Sequence, residues 1–283
     1  MSAATSTQRR SPAAMVSIAV AAIVLIIVCL FPFAWMALSS IKTLPELFTV
    51  PPHWLPSQPT LANYATVLFN SNIPRYFLNS CIIAGGATIV ALVLAVFASY
   101  GFARFEFRGK PLLQTFVLVG QLLPTAAIIV PLFITLRWLH LINTYWGLIL
   151  VYTIITLPLS VWMLTSYMRG IPVELEEAAT IDGASRLGVL LRITLPLAMP
   201  GVVAVVVYSF VTCWNEFVFA LVFAQDQSVK TLPIGLAEFS TEFNTDWGGV
   251  MAASMVMTVP VALLFLAFQR LFVGGLTAGA TKG

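Results

Sequence analysis

Long apolar stretches with few charges leave only a membrane fold open to this sequence. A transmembrane helix needs about 20 apolar residues to cross roughly 30 Å of hydrocarbon, and backbone polar groups inside the bilayer must be paired within the chain. Glu216 is the one acidic residue within such a stretch. The sequence therefore predicts an all-α integral membrane protein with six transmembrane helices, over residues 14–38, 77–102, 112–136, 146–168, 201–223 and 249–271.

The composition supports this class and excludes others. Hydrophobic residues make up 59% of the chain and charged residues 9%, against about 25% charged in a soluble domain. Membrane lipid is an expected partner of the apolar stretches. Nucleic acid is not expected, because it needs a clustered basic face and the lysines and arginines are dispersed. Cys29, Cys81 and Cys213 lie in apolar stretches without a CxxC spacing or a nearby histidine. We therefore expect neither a metal site nor a disulfide.

Positive charge orients the helices, because Lys and Arg are enriched on the cytoplasmic side of a membrane. With the N-terminus inside, ten of the 14 Lys and Arg residues are cytoplasmic, as are both termini and residues 170–199. We interpret the first apolar stretch as a retained helix; cleavage of a signal peptide near residues 37–39 is the alternative. The predicted organisation is a cytoplasmic tail (1–13), a single six-helix domain (14–273) with exterior loops 39–76 and 224–248, and a glycine-rich cytoplasmic tail (274–283).

The segment 170–199 is a polar island between two apolar stretches. Its proline suits the first position of a helix, and the three glutamates that follow suit the positive N-terminal end. We predict a helix over 172–181, a turn at Gly183, and a second short helix that is capped by Ser185 and stops at residues 195–196. Two short helices at an angle form a rigid surface for docking another protein. The alternative is a segment that lies on lipid headgroups. It is disfavoured because anionic headgroups attract basic helices, whereas this segment carries three neighbouring glutamates.

Seven residues of this segment follow the spacing E-A-A, three residues, G, nine residues, I, any residue, L-P. They are Glu177, Ala178, Ala179, Gly183, Ile193, Leu195 and Pro196, with Asp182 before the glycine. This spacing resembles the EAA signature of ABC-importer permease subunits. Four other stretches resemble the second, MalG-like permease of carbohydrate importers: Asn63-Tyr64, FLNS (77–80), WNEF (214–217) and GGLTAGATKG (274–283). The whole sequence looks most like the trehalose-importing systems of actinobacteria.

The resemblance implies a type I ABC-importer permease with the MetI-like fold, in the cytoplasmic membrane of a bacterium. It implies as partners a second, non-identical permease, two cytoplasmic ATPase subunits, and an extracytoplasmic sugar-binding protein or lipoprotein. The polar segment would be the coupling loop that docks on an ATPase, with Glu177 paired to a basic residue and Gly183 allowing the bend. Gly274, Gly275 and Gly279 of the tail would contact the same subunit.

The resemblance also implies that this chain binds no cofactor and has no catalytic residues, with ATP and Mg held by the partner ATPases. The sequence agrees, because its Gly-Lys pair, Gly109-Lys110, does not complete a Walker A motif. Arg104 stands in place of the first glycine and Pro111 in place of Ser or Thr. We therefore expect a non-catalytic subunit.

The WNEF residues are candidates for the sugar path, because Glu216 is an ionisable residue within a predicted span. Asn215 and Glu216 could hydrogen-bond sugar hydroxyls while Trp214 stacks on an apolar sugar face. Alternatively, Glu216 makes a helix–helix hydrogen bond that holds the fifth span, and the residues leave both interpretations open. The acidic third exterior loop likewise either contacts the binding protein or is an ordinary solvated surface.

The sequence thus predicts a permease subunit for a disaccharide or related sugar, with trehalose first and maltose-like sugars next. A permease for a non-sugar solute shares the EAA loop and is the nearest alternative. A secondary transporter would need several intramembrane charges. A membrane-embedded enzyme or assembly factor would need His, Asp, Glu or Cys clustered at one membrane face, and the sequence shows neither pattern.

Overall fold

The structure, a computed structural model, describes residues 12–122, 124–240 and 245–280, so residues 1–11 of the predicted N-terminal tail lie outside it. Within these ranges the regular secondary structure is helical, apart from one isolated bridge between Ser240 and Thr245. This confirms the predicted all-α class. The helices are α1 (Pro12–Ser40), α2 (Leu44–Leu47), α3 (Ala62–Phe69), α4 (Ile73–Arg104), α5 (Lys110–Val119), α6 (Thr125–Trp138), α7 (Tyr145–Arg169), α8 (Glu174–Ile181), α9 (Arg186–Val189), α10 (Leu195–Leu197), α11 (Met199–Trp214), α12 (Val218–Phe223), α13 (Leu232–Ala237) and α14 (Trp247–Ala280).

Four of these helices, α1, α4, α7 and α14, are long and apolar enough to cross a membrane. Two further crossings arise only if a bent pair of helices counts as one span. One pair is α5 with α6, which meet at 100°, and the other is residues 186–197 with α11, which meet at 79°. By length and composition the described chain therefore carries four spans, or up to six.

The prediction of a single continuous helix over 112–136 is wrong. The chain forms α5, a 3-10 turn over Gly120–Leu122 and then α6, and Pro124 before α6 is extended, with φ −63° and ψ 133°. Proline lacks the N–H that a continuous helix would need, so Pro124 marks the break before α6. The third apolar stretch is thus a broken element.

The prediction of one helix over 201–223 is also wrong. Here α11 ends at Trp214 and α12 begins at Val218, and residues 215–217 separate them. This break coincides with the WNEF stretch, which is therefore a change of backbone direction within the fifth apolar stretch.

The bundle is built around α4, which packs on both α7 and α11. Small residues allow helix backbones to approach closely in a membrane. A Cβ added at Gly86 of α4 would lie 2.9 Å from the Ile149 side chain of α7, so these two helices are in close contact. The buried face of α4 carries four alanines three or four residues apart: Ala84, Ala87, Ala91 and Ala95.

Helices α1 and α14 form an outer layer and pack on each other. The apolar side chains of α1 are largely exposed, so lipid or another chain must cover them. In the predicted first exterior loop, Trp54 packs on Trp35 of α1 with 5.6 Å between ring centroids, and the Lys42 ammonium lies over the Trp35 ring. The first exterior loop is therefore fastened to the end of α1.

Candidate coupling and transport sites

The predicted coupling loop, residues 170–199, has the local structure that its sequence predicts up to its last turn. Helix α8 follows Pro172 with three glutamates in its first turn, where the helix dipole favours negative charge. Gly183 has φ +85°, a left-handed conformation that side chains resist, and it follows the end of α8. The Ser185 Oγ accepts a 3.2 Å hydrogen bond from the Gly188 N–H and caps α9.

The predicted stop at residues 195–196 is wrong. The chain widens into a π-helix over Leu190–Thr194 and continues as α10 through Pro196. Pro196 is tolerated because it lies in the first turn of α10, after the wider turn has disrupted the usual α-helical pairing. The bend comes instead at Ala198, beyond which the chain turns by 79° into α11.

The residues of the EAA signature differ in exposure. Three of them, Ala179, Ile193 and Leu195, are half-buried. The others are exposed: Glu177, Ala178, Asp182, Gly183 and Pro196. The Glu177 carboxylate is therefore accessible to another protein.

Glu176, the neighbour of Glu177, is buried. Its Oε1 accepts hydrogen bonds from the Arg104 Nε at 2.8 Å and from the Thr194 Oγ1 at 2.7 Å. Its Oε2 accepts a bond from the Tyr100 hydroxyl at 3.1 Å. Sequence reasoning missed this residue. The charge distribution placed Arg104 on the same side of the membrane, but no spacing rule joins residues 72 positions apart.

Trp214 ends α11 and is buried, with 1% of its surface exposed. It stacks on Phe210 and meets Phe77 edge-on, with ring centroids 5.6 and 5.7 Å away. Its indole Nε1 donates a 3.1 Å hydrogen bond to the Met257 carbonyl of α14. In this conformation Trp214 joins α4, α11 and α14, and its ring faces are covered by protein.

Glu216 holds the break in the fifth span. Its Oε1 accepts a 2.8 Å hydrogen bond from the Phe219 N–H, and its Oε2 accepts a 3.0 Å bond from the Ala220 N–H. Both are donors of the first turn of α12, which would otherwise lack a partner. The exposed Asn215 donates its side-chain amide to the Val211 carbonyl at 2.8 Å. The Glu216 carboxylate thus bonds its own span, and the Tyr152 hydroxyl of α7 also lies 3.5 Å from the Glu216 carbonyl oxygen, which is a helix–helix contact.

A cavity of about 890 Å³ lies beside this break, between the α5–α6 pair and α7. Its volume falls in the range of small-molecule sites. Gln121 donates a 2.8 Å hydrogen bond to the Ile155 carbonyl of α7, about one turn before Pro158 in that helix. Most of the lining is apolar, and the polar residues in it are Gln121, Thr125, Thr135 and Glu216.

The FLNS stretch holds the third exterior loop. The Asn79 side-chain amide donates to the Ser228 carbonyl at 3.0 Å and to the Lys230 carbonyl at 2.8 Å. The Ser80 hydroxyl accepts a 2.8 Å bond from the Leu232 N–H. These bonds fix the start of the loop to α4 and explain why polar residues occur near the N-terminal end of that helix.

Charged groups of the same loop are paired within it. The Lys230 ammonium lies 2.7 Å from Glu238 Oε1, and this hydrogen bond raises the pKa of Lys230 above its usual range. Hydrogen bonds from Ser228 hold the pKa of Asp226 below its usual range. In the described part of this loop, these charged groups thus have partners within the loop itself.

The tail glycines Gly274, Gly275 and Gly279 lie in the last turns of α14, whose backbone is helical to Ala280. Residues 281–283 are outside the described part of the chain. Within the described residues, no group of three or more His, Cys, Asp or Glu side chains could hold a metal ion.

Broken helices beside an open cavity, together with an exposed EAA-type loop, define a membrane transport subunit. The family described as binding-protein-dependent transport system inner membrane component matches residues 87–277. The chain belongs to this family, and the predicted family is confirmed.

Named relatives and a solved structure agree with this assignment. The chain is 38% identical over 264 residues to the sulfoquinovosyl glycerol transport system permease protein SmoH of Agrobacterium fabrum, covering 93% of both chains. It is 40% identical over 267 residues to the trehalose/maltose transport system permease protein MalG of Thermococcus litoralis, covering 93% of this chain and 95% of the relative. Its fold matches a chain of a bacterial ABC transporter for alginate with a TM-score of 0.79 and 20% identity, covering 93% of this chain and 99% of that one. The predicted ABC-importer permease fold is therefore confirmed.

Proposed function

We propose that this chain is a permease subunit of an ATP-driven importer for a disaccharide or related sugar, with trehalose first and maltose-like sugars next. The observation that carries the coupling role is the exposed Glu177 face of the loop, next to the buried Glu176. The relatives named for sugar transport support the substrate class.

In this proposal the chain forms half of a translocation path with a second, non-identical permease in a bacterial cytoplasmic membrane, and both termini are cytoplasmic. Two ATPase subunits bind ATP and Mg and dock on the coupling loops, where Glu177 pairs with a basic residue and Gly183 allows the bend. The tail glycines Gly274, Gly275 and Gly279 contact an ATPase. ATP closes the ATPase pair, the loops move, and the spans open to the exterior; hydrolysis resets them.

The proposed sugar path runs through the cavity beside Asn215 and Glu216. Each Glu216 oxygen accepts one backbone bond, and a carboxylate oxygen can accept a second. Sugar hydroxyls can therefore donate to Glu216 without breaking the cap of α12. Trp214 belongs to the predicted path set, and in this conformation it is buried at the end of α11, directly before Asn215 in the chain. An extracytoplasmic sugar-binding protein or lipoprotein delivers the sugar to the third exterior loop.

The test is to purify the tagged chain in mild detergent and identify the proteins that accompany it. We expect an ATPase and a binding protein, and the ligand bound to the latter names the substrate. Glu177→Ala should weaken ATPase retention, because removing one partner of a buried charge pair costs about 2–5 kcal/mol, or roughly 30-fold or more in affinity.

Glu174→Ala is the matched control, since Glu174 is also exposed in the first turn of α8 and should change little. Equal ATPase retention by the Glu177→Ala variant and the wild-type chain would contradict the coupling role. A wild-type chain that recruits no ATPase would contradict the importer assignment itself.

A further inference from the structure

We propose that Glu176 is a positioning residue that fastens the coupling loop to α4. This proposal rests on the proposed function. Movement imposed on the exposed face of α8 would then reach the centre of the bundle through the contact between Glu176 and Arg104, as well as through the two ends of the loop.

The contact joins three separate elements. Arg104 and Tyr100 belong to the last turns of α4, Glu176 to α8, and Thr194 to the π-helix before α10. The Glu176 and Arg104 side chains are 8% and 10% exposed, so the ion pair is largely shielded from water. Charge-assisted bonds of this kind hold donor and acceptor in a defined geometry.

The backbone of the coupling loop bends at three places. At its start, residues 170–173 lie outside any helix, and in its middle Gly183 adopts a left-handed conformation. At its end the chain turns by 79° at Ala198. Bends of this kind can act as hinges, so the covalent connections alone are poor at transmitting a push. Arg104 also donates from Nη2 to the Ile171 carbonyl at 3.0 Å, which holds the first of these connections against α4.

Attachment to α4 matters because this helix is the centre of packing. It lies against α7 and α11, and α11 leads directly to the break at Glu216 beside the cavity. A buried ion pair contributes little net stability compared with apolar packing, because both charges must leave water. Its advantage at this position is a fixed orientation between α8 and α4.

The adjacent glutamates therefore have different roles. Glu177 faces outward and meets the ATPase, and Glu176 faces inward and meets the bundle, one residue apart on the same rigid turn. Loss of Glu177 should weaken docking. Loss of Glu176 should leave ATPase docking intact but reduce the movement of the spans that docking and ATP produce.

The experiment uses the full complex in lipid vesicles, with a reporter that does not depend on the sugar. A Thr135→Cys change, in a background without the three native cysteines, places a thiol in the cavity wall. The labelling rate with a membrane-impermeant maleimide is compared with and without ATP and vanadate, and ATP hydrolysis and ATPase retention are measured on the same samples.

For Glu176→Gln we expect ATPase retention close to wild type and a decrease of about fivefold or more in the ATP-dependent change in labelling. Arg104→Gln should act in the same direction, and the double variant should be no worse than either single one, because the interaction is already lost. Glu174→Gln is the control and should match wild type.

If Glu176→Gln fails to assemble, Tyr100→Phe and Thr194→Val decide, since each removes one hydrogen bond from the carboxylate. Each should reduce the ATP-dependent change by about twofold. An unchanged response in the assembled variants would overturn the inference while leaving the importer assignment intact. An ATP response absent from the wild-type complex would instead overturn the proposed function.

Discussion

The buried end of the coupling loop and the break in the fifth span both depend on a glutamate, but the two carboxylates are held in different ways. Glu176 accepts its bonds from side chains of two other elements. Glu216 accepts its bonds from backbone N–H groups three and four residues further along its own span. The first carboxylate connects parts of the molecule, and the second stabilises one local change of direction.

This difference shows what each acidic residue needs from its surroundings. A side-chain network requires a positive partner, because an unpaired charge is costly to bury. A backbone cap requires only the free N–H groups at the start of a helix. The Glu216 carboxylate is therefore accommodated in an apolar span by two backbone N–H donors, without a hydrogen bond from a basic side chain. Substitutions at the two sites should therefore differ in how much unfolding free energy they remove and in which second substitution recovers it.

Arg104→Ala should have the largest effect. It leaves the Glu176 carboxylate buried with only the Tyr100 and Thr194 hydroxyls, and loss of one partner of a buried ion pair typically costs about 3–5 kcal/mol. The free energy of unfolding in detergent measures this loss. Arg108→Ala, at an exposed position in the loop after α4, should stay close to wild type.

A second change at Glu176 tests whether the loss comes from the unpaired charge. Combining Arg104→Ala with Glu176→Gln should recover part of the stability, because no charge is then left without its partner. A double variant that loses the sum of both single effects would contradict the direct ion pair.

Glu216→Ala should have an intermediate effect. It removes the acceptors of two N–H groups at the start of α12, and loss of a helix cap costs about 1–2 kcal/mol. Glu216→Gln should lose less, since its amide oxygen can still accept one of these bonds. Glu216 differs here from Glu176, because its carboxylate bonds backbone N–H groups and its contribution to stability does not depend on a basic partner. Thermal unfolding of the wild-type chain, Glu216→Gln and Glu216→Ala in one detergent measures the order of their stabilities. A Glu216→Ala variant as stable as the wild-type chain would contradict the cap.

The sequence was sufficient to predict features that depend on neighbouring residues. Apolar length located the four continuous spans, and the chemistry of Gly183 and Ser185 located the end of α8 and the start of α9. The family followed from the spacing of the EAA signature, which is also local. The outward position of Glu177 agrees with the role that this resemblance implies.

The sequence was insufficient where distant residues or competing local signals decide. Hydropathy alone favoured continuous helices through Pro124 and through 215–217, although a proline and a capping carboxylate break them. Glu176 and Glu177 are the same residue type in adjacent positions, and only the side-chain contacts of α4 with Glu176 separate a buried from an exposed carboxylate. Arg104 could not be paired with either one before those contacts were known.

Gly183→Ala should have the smallest effect and tests a third way of making a bend. The residue has φ +85°, and no atom lies within 4 Å of an added Cβ, so the cost is one of backbone conformation alone. A side chain in this region costs about 1–2 kcal/mol, partly offset by the lower entropy of the unfolded alanine chain, for a net loss of about 1 kcal/mol in unfolding free energy. Gly183→Asn should lose less, because Asn tolerates the left-handed region.

Gly85→Ala is the matched control for this change, since an added Cβ also meets nothing within 4 Å there but the residue lies within a regular helix. It should be neutral or slightly stabilising. If Gly183→Ala matched Gly85→Ala, the bend after α8 would not depend on backbone conformation at residue 183, and the contacts of Glu176 would have to hold α8 and α9 at their angle. If Gly183→Ala costs its expected 1 kcal/mol or so while Arg104→Ala costs more, the bend and the attachment to α4 are separate properties of the same loop.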